Sequence, residues 1–390
     1  MRSRSTLLAS LAVLSACYSG PSQDDAASDA TVGTTHGATA STGAPGPGDT
    51  GEPTTGSATS SGAVTLTSAG STDMSEGPAS SGGLAGGTTS ADPDTGVAET
   101  GEPGTETGAP GTTDTGDPPP DEAAKLCQRW NADRAQLGEG TWSGSVDACD
   151  PGTVSQDGRD NALRLVNLYR FIAGLPAVTE DPARTTKAQA CALMMHANGQ
   201  LNHAPPMNWK CWTADGAGAA GQSNISSTPG VVGVDLYMVD PGNDTTIGHR
   251  RWILSNSLGP VGLGSTAVNS CLMVIGGNGN AGKPWLAWPP PGLVPYQALH
   301  VPTIGWAHVD QTGWTVQSDG IDLNGATVTV KSGGVDMPVA VNALGQGYGS
   351  TYAVRFVPQG WAVEPGATYD VTLGNVAQPI AYSVQIVDCP

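Results

Sequence analysis

"TTIGHRRWIL", residues 245–254, decides how this chain is read. A glycine, a histidine and two arginines run directly into Trp252, Ile253 and Leu254. The chain holds only six histidines, so His249 at the edge of an apolar run raises a choice between a site and a core rim. The segments on either side narrow it. Upstream, "DGRDNALRLVNLYRFIAGLP", 157–176, reads as a helix with Leu163, Val166 and Phe171 on helical spacing. Leu165, Leu168 and Ile172 widen that stripe, Asp160 or Asn161 caps it, and Gly174 and Pro176 end it. "DPARTTKAQACALMMHANGQ", 181–200, reads as a second helix, with Pro182 early and Gly199 late. "STPGVVGVDLYMVDPG", 227–242, reads as a shorter third, capped by Thr228 and opened by Pro229. Downstream, "VGLGST" and "SCLMVIGG" read as two strands. Helices followed by a short strand pair give an α+β layered domain.

The order "LVNLYRFIAGLPAV", "LNHAPP", "GQSNIS", "GHRRWIL", "VGLG" resembles the CAP superfamily of pathogenesis-related-1, cysteine-rich secretory and bacterial SCP-like extracellular proteins. It covers about residues 155–277. The resemblance implies an α-β-α sandwich with a cleft holding two histidines and usually two acids. His203 of "LNH" and His249 of "GHRRWIL" match the two histidines. The usual Gly-Glu-Asn reads Gln222-Ser223-Asn224 here, so Ser223 stands where the first acid belongs. Asp240, after Tyr237 in "YMVD", is the match for the second. The implied ligand-binding set is therefore His203, His249, Asp240, Ser223 and Asn224.

Two imidazoles and a carboxylate suit zinc or another divalent metal, with His203 and His249 as ligands. They also suit acid–base work near neutral pH. The alternative is a hydrogen-bonded histidine pair that ties a loop to the core. The lost acid weighs against both metal and catalysis. Arg250 and Arg251 read as surface or loop-anchoring groups, with Asp240 or Asp244 as possible partners. Trp285, Trp288 and Trp306 read as packing between domains. His196, His300 and His308 receive no role. "GNGNAGKP", 277–284, imitates a phosphate loop, but Pro284 stands where a magnesium-binding hydroxyl is needed. No G-x-S-x-G elbow occurs after residue 120.

Composition separates the rest of the chain. Its 390 residues include 55 glycines, and the net charge is −19, which argues against nucleic acid as a partner. Residues 18–120 contain fourteen of the acids and neither lysine nor arginine. They read as a disordered, self-repelling linker with a reach of roughly 50–60 Å. "MRSRSTLLASLAVLSAC", 1–17, has a basic start, an apolar stretch and small residues before Cys17. This is an export signal, and its ending resembles a lipobox, with Cys17 as the lipidated residue. The remaining six cysteines, Cys127, Cys149, Cys191, Cys211, Cys271 and Cys389, read as disulfides in an exported chain. Pairing neighbours gives 127–149, 191–211 and 271–389.

After the proline run "WPPPGLVP", 288–295, the period changes to two. "ATVTVKSGGVDMPVAV" alternates and turns at Ser332-Gly333-Gly334, as a hairpin does. "YAVRFVP", "TYDVTLGNV" and "IAYSVQIVD" follow at strand length. They give an immunoglobulin-like β-sandwich, with Tyr369 as the analogue of a tyrosine corner. The expected organisation is a signal at 1–17, a linker at 18–120, a CAP-like domain at 121–288 and a β-sandwich at 289–390. The expected protein is a surface-tethered bacterial lipoprotein, anchored through its lipid at the outer membrane or cell surface. Its cleft binds a small apolar ligand or an extracellular polymer, with zinc as the candidate metal. A histidine- or metal-dependent hydrolase and an adhesion module acting through the β-sandwich are the alternatives.

Overall fold

The computed structural model describes residues 120–390. The signal, Cys17 and the linker lie outside them. Four helices open the fold: α1 (Pro120–Arg134), α2 (Gln156–Ile172), α3 (Pro182–Asn198) and α4 (Ala214–Ala220). Strand β1 (Ser223–Ser226), helices α5 (Gly230–Val239) and α6 (Gly248–Ile253), and strands β2 (Gly262–Ser265) and β3 (Ser270–Met273) complete the first domain. The strands form an antiparallel sheet in the order β1-β3-β2.

Alternation along β3 builds the layers. Cys271 and Met273 pack with α3 and α4, while Leu272 and Val274 pack with α2 and α5. Both faces of the sheet are covered, so every residue of β1, β2 and β3 is buried. This is the α-β-α sandwich. Glycines let α3 lie close on β2. A Cβ on Gly264 would sit 2.1 Å from the Ala188 carbonyl carbon, and one on Gly262 would sit 2.5 Å from that of Arg184.

Local chemistry sets the ends. Asp181 caps α3, accepting from the Ala183 and Arg184 amides, and Gly199 closes it at a φ of 58°. The cap of α2 is Ser155, one turn before the expected Asp160 or Asn161. Pro229 takes the cap position of α5, and the Glu139 carboxylate accepts from the Val231 and Val232 amides there. That places an anion at the positive end of the helix.

The second domain has two sheets. One has the order β4-β6-β10-β9, from Leu286–Trp288, Trp314–Ser318, Tyr352–Pro358 and Val339–Ala343. The other has the order β5-β12-β11-β7-β8, from Gly292–Pro295, Ile380–Val387, Thr368–Gly374, Thr327–Ser332 and Val335–Met337. Short helices α7 (Tyr296–Leu299) and α8 (Val309–Thr312) join β5 to β6. The run from Val335 to Val341, expected as one hairpin arm, breaks at Pro338: β8 pairs with β7, and β9 crosses to β10 in the other sheet. Tyr369 accepts from the Glu364 amide and donates to the Ala362 carbonyl, seven residues upstream.

Leu286–Trp288, placed in the first domain by the expected boundary at 288, pairs with β6 of the second. Trp288 is fully buried there and meets Tyr169 of α2 edge-on at 5.6 Å. Trp285 packs on Tyr382 within the second domain, and Trp306 is 69% exposed, so only Trp288 of the three seals the two domains. The disulfides are Cys127–Cys389, Cys149–Cys211 and Cys191–Cys271. Pairing neighbours fails because the fold brings α3 onto β3 and α1 onto the final strand. Proximity in space, not in sequence, selects the partners.

Candidate functional site

Asp240 ends α5 in the left-handed region, at φ 55° and ψ 50°. That turn sends the chain back toward the sheet and points the carboxylate at the start of α6. Asp240 Oδ2 accepts the His249 amide at 3.0 Å, and Oδ1 takes the His249 Nδ1–H at 2.7 Å. One buried carboxylate thus fixes both the backbone and the ring of His249. Behind that ring lies Tyr237, 5.2 Å away between centroids. Its hydroxyl donates to the Asn224 carbonyl, and its own acidity is suppressed by burial.

His203 stands across from it on the loop before α4. Its Nδ1–H donates to the Ala220 carbonyl at 2.9 Å. Burial pushes its proton affinity below the ordinary imidazole range, and the charge of nearby His249 adds to this. A carbonyl only accepts, and so does a carboxylate, so both Nδ1 atoms carry hydrogen. In its neutral form, each imidazole then leaves Nε2 as a lone-pair acceptor.

The remaining expected residues act as scaffolding. Ser223, at the position of the missing acid, donates to the Ala219 carbonyl at 2.7 Å and is buried. Asn224 donates to the His249 carbonyl at 3.0 Å. The site is therefore a histidine pair with Asp240 behind one member.

A zinc ion suits the two Nε2 lone pairs but not the rest of the donor set. Both oxygens of Asp240 are committed to His249, and Ser223 faces Ala219. Among the described residues, no group of three or more His, Cys, Asp or Glu can hold a metal. Two ligands fall short of the three that a catalytic zinc uses, and we derive no chemistry through a metal.

The arginines beside His249 are not surface groups, and neither Asp240 nor Asp244 is their partner. Arg250 and Arg251 are both fully buried. Arg250 donates to the carbonyls of Met238, Val239 and Gly313 and to Thr312 Oγ1. Arg251 donates to the carbonyls of Thr246, Gly345 and Ser350 and to Ser350 Oγ. Burial lowers both guanidinium groups to about 10, so they stay charged at neutral pH. Asp244 pairs with Arg355 instead. Each arginine reaches from α6 into the second domain, so that domain holds the helix that carries His249.

Between α2, α5, β2 and β3 lies a narrow crevice, partly open to solvent, lined by neither histidine. Val154, Ala162, Val234, Leu263 and Leu272 make its walls apolar, and Glu139 and Arg159 also line it. Tyr237 lines it as well, so one side chain touches both the crevice and His249. The sequence showed no sign of this crevice, because its walls come from four separate segments.

Residues 163–271 match the family model described as CAP, the cysteine-rich secretory protein family. No curated protein and no solved structure matches the chain. The matched span includes His203, Ser223, Asn224, Asp240 and His249, and the layers around it are those the resemblance implied. The chain thus carries a domain of the CAP superfamily over residues 163–271.

Proposed function

We propose that this is a surface-tethered, exported protein whose CAP domain binds a small apolar molecule carrying a hydroxyl group. Three disulfides and a CAP domain are consistent with an extracellular protein, and no described helix is long and apolar enough to cross a membrane. Tethering through a lipid on Cys17 and the acidic linker rests on the sequence alone. The observation that carries the ligand reading is Tyr237, which lines an apolar crevice and packs against the ring of His249. The ligand's apolar body enters between α2 and α5, and its hydroxyl donates to an imidazole Nε2. Apolar walls with a few fixed polar atoms are the usual make-up of a small-molecule site.

The hydrolase reading has a partial basis in the Asp240–His249 pair, which has the orienting half of a nucleophilic triad. Among the described residues, no Ser, Thr or Cys side chain hydrogen-bonds to either histidine, and Ser223 of the expected cleft set donates to Ala219 instead. Binding is the better account. Organic extraction of the purified full chain followed by mass spectrometry tests it. An apolar alcohol is expected in extracts of the native protein, and it should be absent from Val234→Trp, which fills the crevice. The same content in both proteins refutes the assignment.

A further inference from the structure

Far from the cleft histidines in sequence, three rings form a column in the connector between β5 and β6. Tyr296 stacks on His300 at 4.5 Å and 11°, and His300 stacks on His308 at 4.5 Å and 28°. His300 Nε2–H donates to Asp310 Oδ2 at 3.0 Å. The same carboxylate also accepts the Trp314 indole N–H and the Val363 amide. One negative charge therefore faces two stacked imidazoles. It can balance one imidazolium but not two face to face.

This connector holds the cleft from two sides. Between the histidines, Val301, Ile304 and Ala307 bury against Val239, with Val232 and Leu236 of α5 packed alongside. Beyond them, Thr312 and Gly313 accept from Arg250, the neighbour of His249. Helices α5 and α6 are the two that carry Tyr237, Asp240 and His249. We propose that the Tyr296–His300–His308 column is an acid-sensitive latch: a second proton on it releases residues 300–313 from α5 and Arg250 and loosens the cleft. The proposal goes beyond the ligand reading and does not depend on it.

The other charged or titratable groups around the column are few. Asp310 and Tyr296 belong to the connector itself. Tyr369 approaches Asp310 from the second domain, with Glu364 beside Tyr369, and Asp235 of α5 accepts from Thr303 of the connector. Asp388 is held by Gln297, and Arg250 approaches from α6. Among these, Asp310 alone is an anion in direct contact with an imidazole of the column. Burial first, and the charge of His300 second, push His308 below the ordinary imidazole range. An opened connector regains the ordinary value, so the open state takes the proton more readily once the pH falls below about 6.5.

Hydrogen–deuterium exchange on the full chain tests this, at about pH 7.5 and about pH 5, corrected for intrinsic rates. Peptides covering 300–313 should exchange roughly tenfold faster at the lower pH, and those covering 240–250 should follow. Peptides from β11 and β12 should not change. His308→Phe keeps a ring in the column but takes no proton, and His300→Gln keeps a donor for Asp310. Both should abolish the acid response. Equal protection at the two pH values in the native chain overturns the latch, and so does an undiminished acid response in the variants. If His308→Phe does not fold at neutral pH, His300→Gln decides.

Discussion

At the scale of single residues, the site is set by groups that leave no period in the sequence. "GHRRWIL" advertised His249, and the family order paired it with His203. For Arg250 and Arg251 the same motif left two readings, surface or loop-anchoring, and the second holds. Burial of a guanidinium depends on carbonyls from distant loops, and no local pattern announces them. Arg250 meets four acceptors through a planar fork that a lysine cannot reproduce. Arg250→Lys should therefore cost about 3 kcal/mol, because buried carbonyls lose their donors. Urea unfolding measures this, and a change within about 0.5 kcal/mol would show that the clamp is not needed.

At the scale of elements, helices were more legible than their ends. The three expected helices exist at 156–172, 182–198 and 230–239. The caps of the first and third lie elsewhere, because Ser155 and Pro229 sit at positions that tertiary contacts select. Helices α1 and α4 and strand β1 were not read at all. In β1, "SNIS" has one apolar residue in four and owes its burial to the layers on either side. The glycines of "VGLG" carried more information than their turn propensity suggests. They mark where a helix backbone lies against a strand. Gly264→Ala puts a methyl group into the Ala188 carbonyl and must push α3 off β2. A loss of about 1–3 kcal/mol is expected from overpacking, read as a lower Tm by calorimetry. An unchanged Tm would mean that the two elements are not in contact as described.

At the scale of the whole molecule, the sequence suggested two domains packed through tryptophans, and the described residues form one connected unit. Trp288 and Tyr169 share a core, and Arg250 and Arg251 cross into the second domain. Cys127 and Cys389 link positions 262 residues apart. The tryptophans signalled this packing and Trp288 provides it, but the arginine and disulfide links were not legible because their partners lie far off in sequence. Removing residues 289–390 should therefore leave a first domain that is open to protease. Without them, Arg250 and Arg251 are buried charges lacking five of their eight acceptors. Limited proteolysis of that truncation, beside the full chain, should show rapid loss of the 120–288 segment. A resistant fragment would make the second domain a passive neighbour.

The central claim is that one ligand hydroxyl donates to the Nε2 of His203 or His249 beside an apolar crevice. Nitrogen-15 NMR of the histidine rings during titration with a long-chain alcohol such as dodecanol tests it most directly. The account predicts that the Nε2 signal of His203 or of His249 shifts and saturates, while those of His300 and His308 stay in place. Saturable binding that leaves both cleft rings unmoved, or no binding at all, would contradict it.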